Sequence, residues 1–172
     1  IGGTNVKDIS QETLMKNISF VFQNPRLFKT TLLENIAYGN PYADGEAINR
    51  AIDMAQCREI VDRLPQGLNT KIGTEGTYLS GGEQQRAAIA VALANKPDIL
   101  LADEPTGALD SSSARDVLGI LEKVHEKYHT TIVIITHNEG IARMADRVIR
   151  IHDGKVIENS VNERVCVKEL EI

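Results

Sequence analysis

Cysteine is scarce in this chain: Cys57 and Cys166 are the only two among 172 residues, and they lie far apart. That spacing excludes a disulfide framework and a clustered thiolate metal site, and it fits a reducing compartment. No apolar run approaches the roughly 20 residues that a membrane-spanning helix requires. The opening IGGTNVKDIS lacks the charged and then apolar pattern of a signal peptide. It also lacks an initiator methionine, so the chain is expected to begin inside a longer protein. Basic residues are in the minority, 19 Lys and Arg against 24 Asp and Glu, for a formal net charge of −5. A protein that holds nucleic acid by its phosphates needs a basic face, so nucleic acid is not expected as a partner. Internal repeats and low-complexity linkers are absent too. What remains is ordinary globular composition, 42% apolar and 25% charged, at about one domain's length.

Several segments carry clear periodicities. Ile18 to Phe22 is β-rich and reads as a strand, closed by Asn24-Pro25. Ala47, Ile48, Ala51, Ile52 and Ala55 recur at helical spacing, with Asp44 as a candidate cap. A short helix holding Ile60, Val61 and Leu64 stops at Pro65-Gln66-Gly67. Ser80 opens a helix whose run AAIAVALA is apolar all round, the mark of a buried helix. Ile99 to Ala102 and Ile132 to Ile135 are apolar without alternation, as expected of strands covered on both faces. Between them, Asp110 or Ser111 starts a helix with Val117, Leu118, Leu121 and Val124 on one side. Asp153-Gly154 fits a two-residue hairpin turn between Arg147–Ile151 and Val156-Ile157. No element is assigned after Asn159. Strands alternating with helices predict an α/β fold with a largely parallel sheet. Residues 30 to 92 read as a mostly helical insertion.

Polar groups collect where the two apolar strands end. Parallel sheets bind ligands beyond the carboxyl ends of their strands. The first ends in Ala102-Asp103-Glu104 and the second in Thr136-His137. Asp103 can hold a hard cation such as Mg²⁺ through oxygen. Glu104 can orient or deprotonate a water, and His137 can contact a terminal phosphate. A second candidate is Leu79-Ser80-Gly81-Gly82-Glu83-Gln84-Gln85-Arg86. Two glycines leave backbone N–H groups open to close approach, Ser80 adds a hydroxyl, and the following helix points its positive end there, which makes an anion site.

Together these runs resemble the ATP-binding cassette (ABC) ATPases. LSGGEQQR resembles their signature motif, and ILLADEPTGALD resembles the Walker B strand, catalytic glutamate and D-loop in one stretch. IVIITH resembles the switch-histidine strand, FVFQNPRLF resembles the Q-loop, and all four occur in family order. The resemblance implies a P-loop NTPase (RecA-like) core in residues 1–29 and 93–158, a helical subdomain in 30–92 and a C-terminal tail in 159–172. It implies ATP and Mg²⁺ as ligands. Gln23 and Asp103 meet the metal, with Gln23 also meeting the attacking water. Glu104 serves as general base and His137 as the γ-phosphate contact. Ser80, Gly81 and Gly82, with Gln84 beside them, hold a nucleotide bound on the opposite subunit, and Asp110 sits in the D-loop at the dimer interface. The implied partners are a second ABC ATPase subunit, paired head to tail, and a membrane-spanning transporter component. Docking on that component places the protein on the cytoplasmic face of the membrane.

The pattern also departs from the family. The phosphate loop G-x-x-x-x-G-K-[ST] expected ahead of the Q-loop is not in this sequence: Gly2-Gly3 has no Lys-Ser or Lys-Thr after it. In the family sheet the strand leading to that loop lies between the strands matching 132–136 and 147–151. A gap is therefore expected there, and this chain alone is expected to bind ATP weakly or not at all. A non-enzymatic remnant is the alternative reading. TTLLENIAYG and LPQGLNTKIGTEG resemble exporters, although Thr74 stands where their glutamate falls and Glu75 follows one place later. From Glu83 onward, LLADEPTGALD and MADRVIRIHDGKV look more like the macrolide-efflux and lipoprotein-release group. Val91 replaces an arginine common after the signature and is read as a packing change.

Overall fold

The computed structural model describes residues 1–73 and 78–170. Three parallel strands, β1 (Ile18–Phe22), β2 (Ile99–Asp103) and β3 (Thr131–Ile135), form one sheet in the order β1-β2-β3. Seven helices are described: α1 (Gln11–Asn17), α2 (Leu32–Ala37), α3 (Gly45–Met54), α4 (Arg58–Arg63), α5 (Gly81–Ala94), α6 (Ser111–Tyr128) and α7 (Glu139–Ala142). β4 (Arg147–His152) and β5 (Lys155–Val161) make a separate antiparallel hairpin. Its turn places Asp153 at φ 47° and Gly154 at φ 71°, the two left-handed positions of the tight turn read from the sequence.

The helix starts follow side-chain chemistry. Asp44 accepts the Ala47 N–H at 2.7 Å and caps α3. Ser80 and Glu83 form a reciprocal capping box on α5. Asp110, not Ser111, is the cap of α6, accepting from Ser112 N, Ser113 N and the Ser113 hydroxyl. As its apolar run predicts, α5 is the central helix: Ala87, Ile89, Ala90, Ala92, Leu93 and Ala94 are all buried. It packs against α2, α3, α6 and β1. Val117, Leu118, Leu121 and Val124 of α6 complete the same core, each fully burying its side chain for about 1.5–3 kcal/mol.

One expectation is corrected. β2 and β3 are not covered on both faces among the described residues. The register Phe20↔Leu101↔Val133 puts these three side chains on one face, and Phe22↔Asp103↔Ile135 lie on the same side. On that face Phe20, Phe22, Val133 and Ile135 are all exposed, whereas Val21, Leu100 and Ala102 on the other are buried. The rings of Phe20 and Phe22 stack in the open with centroids 6.0 Å apart. The unalternating runs therefore encode a two-sided strand of which only one side is covered. The outer edge of β3 is unpaired among the described residues, and β3 is not bonded to β4. A cleft of about 270 Å³ lies in that gap, lined in part by His137, Glu139, Val148, Arg150 and Ile157. An apolar face of this kind drives association. Replacing Val133 and Ile135 together by Lys is expected to raise the monomer fraction in sedimentation or light scattering. An unchanged mass distribution would show that the face is not what associates.

Residues 162–170 of the tail, unassigned from sequence, run back to α6. Val167 and Leu170 are buried, and the Val167 N–H donates to Glu122 of α6 at 3.2 Å. Arg164 pairs with Glu126 of the same helix. The Thr74 and Glu75 positions lie outside the described residues.

Candidate active site

Asp103 closes β2, and the chain turns sharply after it. Glu104 sits at φ 44°, a left-handed backbone that is uncommon for a side chain other than Gly or Asn. Such strain persists only where surrounding bonds fix it. Here they do: Glu104 N donates to the Ile135 carbonyl at 2.9 Å, and Gly107 N donates to the Glu104 carbonyl at 3.0 Å.

The Glu104 carboxylate is held from the end of β3. Its Oε1 receives the His137 backbone N–H at 2.9 Å and lies 2.6 Å from His137 Nδ1. Its Oε2 receives the Thr136 hydroxyl at 3.2 Å. With the carboxylate ionised, Nδ1 is the donor, which leaves Nε2 without a partner among the described residues. Partial burial pushes the Glu104 pKa up, but the hydrogen bonds from His137 and Thr136 outweigh it and the net shift is downward from the ordinary glutamate value. The stability this carboxylate contributes is thus complete above the ordinary glutamate range, and is lost as the pH falls through the lower, folded-state value. NMR titration of its side-chain carbon is expected to give a midpoint below an ordinary glutamate, and Thr136→Val is expected to move it back up. A midpoint at or above the ordinary value would remove the hydrogen-bond account.

Gln23 follows β1 directly, and its side chain lies over Gly107. A Cβ on Gly107 would stand 2.6 Å from Gln23 Nε2, so glycine there leaves room for the amide. Gly107→Ala is expected to displace Gln23 with little effect on melting temperature, because the obstructed atom ends a flexible side chain. Behind Gln23 the loop is clamped by buried Asn35, which accepts the Phe28 N–H at 2.7 Å and donates to the Phe28 carbonyl at 3.1 Å.

Ser80, Gly81 and Gly82 occupy the start of α5. Gly82 packs against Ser113, where a Cβ would meet the Ser113 side chain at 3.0 Å. Ser113 is also bound by Asp110, so the two predicted interface segments meet at one residue. Ser80 and Gly82 line a cleft of about 110 Å³ with Arg86, Ser113 and Asp116. His137 lines the other cleft, in the β3–β4 gap. Gln84 spends its amide N–H on the Leu79 carbonyl at 2.8 Å. Glu83 pairs with Arg63 of α4 at 2.6 Å while its other oxygen accepts the Ser80 N–H. The structure therefore joins Glu104 to His137, Gln23 to Gly107, and the signature to Asp110 through Ser113. Sequence reasoning placed Thr136 at the polar end of β3 without giving it a role, and missed Gly107, Ser113 and Asn35, which nothing in the pattern marks.

Asp103 is exposed at the strand end and has no hydrogen bond or ion pair among the described residues. Its carboxylate and the side-chain carbonyl of Gln23 are the hard oxygen donors that Mg²⁺ accepts.

The parallel α/β sheet with polar groups at its strand ends defines a class, and comparison with known proteins gives the family. The model for the ABC transporter family matches residues 1–107, and the chain belongs to that family. It is 41% identical over 158 residues to ABC transporter B family member 21 of Arabidopsis thaliana, covering 92% of this chain and 12% of that protein. It is 44% identical over 158 residues to Multidrug resistance protein pgp-1 of Caenorhabditis elegans, again 92% of this chain and 12% of that protein. A bacterial Atm1-family ABC exporter solved with ATP bound matches with a TM-score of 0.80 and 35% identity, over 94% of this chain and 28% of that one. The α/β parallel sheet is thus that of an ABC exporter. This chain spans about an eighth of the curated relatives it matches.

Proposed function

We propose that this chain forms part of the ATP-hydrolysing unit of an ABC exporter, with Glu104 at the reaction centre. The carrying observation is the triple hold on the Glu104 carboxylate by Thr136 and His137, beside an unpartnered Asp103. Glu104 orients the attacking water and accepts its proton at a carboxylate oxygen. Because its proton affinity is lowered, orienting the water is the larger part of its work. His137 fixes that carboxylate through Nδ1 and keeps Nε2 for the γ-phosphate. Asp103 and Gln23 would hold Mg²⁺, which when bound neutralises charge on the β- and γ-phosphate oxygens.

Ser80, Gly81 and Gly82 face a second cassette's nucleotide, since Ser80 and Gly82 line a cleft separate from that of His137. Asp110 shares their interface. A head-to-tail dimer and a membrane-spanning component complete the machine, with residues 30–92 as the helical subdomain and the whole docked on the cytoplasmic face. The open edge of β3 and the bare face beside it seat a phosphate-loop strand and its helix. These 172 residues alone are expected to hold ATP weakly, and calorimetry showing stoichiometric binding would refute that. The function itself is tested by ATP turnover of the full-length protein and of its Glu104→Gln variant.

A further inference from the structure

Gln85 is the one fully buried polar residue of α5, at 0% exposure. Its position in the signature run gives it no role: Ser80 caps the helix, Glu83 completes the capping box and Gln84 bonds Leu79. Its amide nitrogen instead crosses to the other half of the molecule and donates to the Phe22 carbonyl at 3.0 Å. Phe22 is the last residue of β1 and the immediate neighbour of Gln23. The Gln85 Oε1 atom is buried with no hydrogen-bond partner among the described residues. A buried acceptor left unpaired is destabilising. Methionine would remove that cost but would leave the Phe22 carbonyl without its amide donor, so the two effects offset and stability alone does not call for glutamine here.

We propose that Gln85 is a positioning residue that sets Gln23 relative to the signature. One end of α5 carries Ser80, and five residues on the same rigid helix holds the backbone next to Gln23. That link fixes where the Gln23 amide emerges over Gly107, through one main-chain atom rather than through contact with nucleotide. It joins two candidate segments that belong to different parts of the chain, with Phe22 and Gln85 63 positions apart. The inference rests on the ATPase reading above.

The test is a double-mutant cycle in the full-length protein, with ATP turnover and melting temperature read together. Gln85→Met is expected to leave the melting temperature nearly unchanged, since it removes one orphaned acceptor and one hydrogen bond, and the KM for ATP unchanged. Its kcat is expected to fall roughly tenfold, as misplacement of a site residue by a fraction of an ångström does. In a Gln23→Ala background Gln85→Met is expected to have no further effect on kcat, because its action runs through Gln23. Wild-type kcat in Gln85→Met, or a full additional loss in the Gln23→Ala background, overturns the proposal. If Gln85→Met does not fold, the same comparison is made with Gln85→Asn, which keeps the amide but falls one methylene short of Phe22. Wild-type turnover in that variant overturns it equally. Glu104→Gln run alongside separates the two readings. No ATP turnover in the parent removes the ATPase assignment, unchanged turnover in Glu104→Gln removes the role of Glu104, and lost turnover there with normal Gln85 variants removes only the role of Gln85.

Discussion

Glu104→Gln is expected to lower ATP turnover of the full-length protein by about two orders of magnitude or more, the usual size of a general-base contribution. The substitution is close to isosteric. Its amide oxygen can still accept from His137, its amide nitrogen can donate to the Thr136 hydroxyl oxygen in place of accepting from it, and the backbone bonds of the left-handed turn at φ 44° are untouched, so the fold is retained. What goes is the negative charge that polarises the water. Binding steps that precede chemistry remain, so a nucleotide-loaded dimer is expected to accumulate and to be visible by size-exclusion chromatography with bound ATP. Turnover equal to the parent would take Glu104 out of its proposed role.

Gly39→Ala is expected to have the largest effect on stability. Gly39 follows α2 and lies against the backbone of α5. A Cβ there would stand 1.9 Å from the Val91 carbonyl oxygen and 2.9 Å from its carbonyl carbon. Its φ is not positive, so the requirement is purely steric. The obstacle is main chain of the core helix and cannot swing aside. Either α2 withdraws from α5 or the last turn of α5 shifts, at a cost of about 3 kcal/mol. For a domain of this size that corresponds to a drop of roughly 6–12 °C in melting temperature. A change under about 2 °C would mean that the two segments are not in this contact. The close approach also gives physical content to Val91, whose side-chain Cγ1 lies 3.3 Å from the same point.

Much of this was legible because local chemistry and tertiary placement agree. Ile18–Phe22 was readable to its last residue, since a β-rich run ended at Asn-Pro. Asp44 and Ser80 act as the caps their positions suggest, and α5 is buried as its lack of a polar face implies. The runs ILLA and IVII were misread in one respect. Apolar content reports the surroundings a strand is suited to, while the described residues cover β2 and β3 from one side only. Gly107 escaped notice because its effect lies in empty space, which has no pattern. Gln85 was indistinguishable from the surface glutamine beside it until burial set them apart. The tail strap was illegible because Val167 and Leu170 find their apolar surface only on α6, far earlier in the chain.

The register of the sheet has a bearing on how the protein is made. Ile18 pairs with Ile99, and Ile99 in turn with Thr131. On a ribosome, the aromatic segment ISFVF emerges long before either neighbour exists, and none of its ladder bonds can close until α5 has been synthesised. Such non-local pairing slows folding and leaves a sticky nascent strand exposed in the meantime. The cost of building the site across strands so distant in sequence is a longer interval in which that strand is open to association.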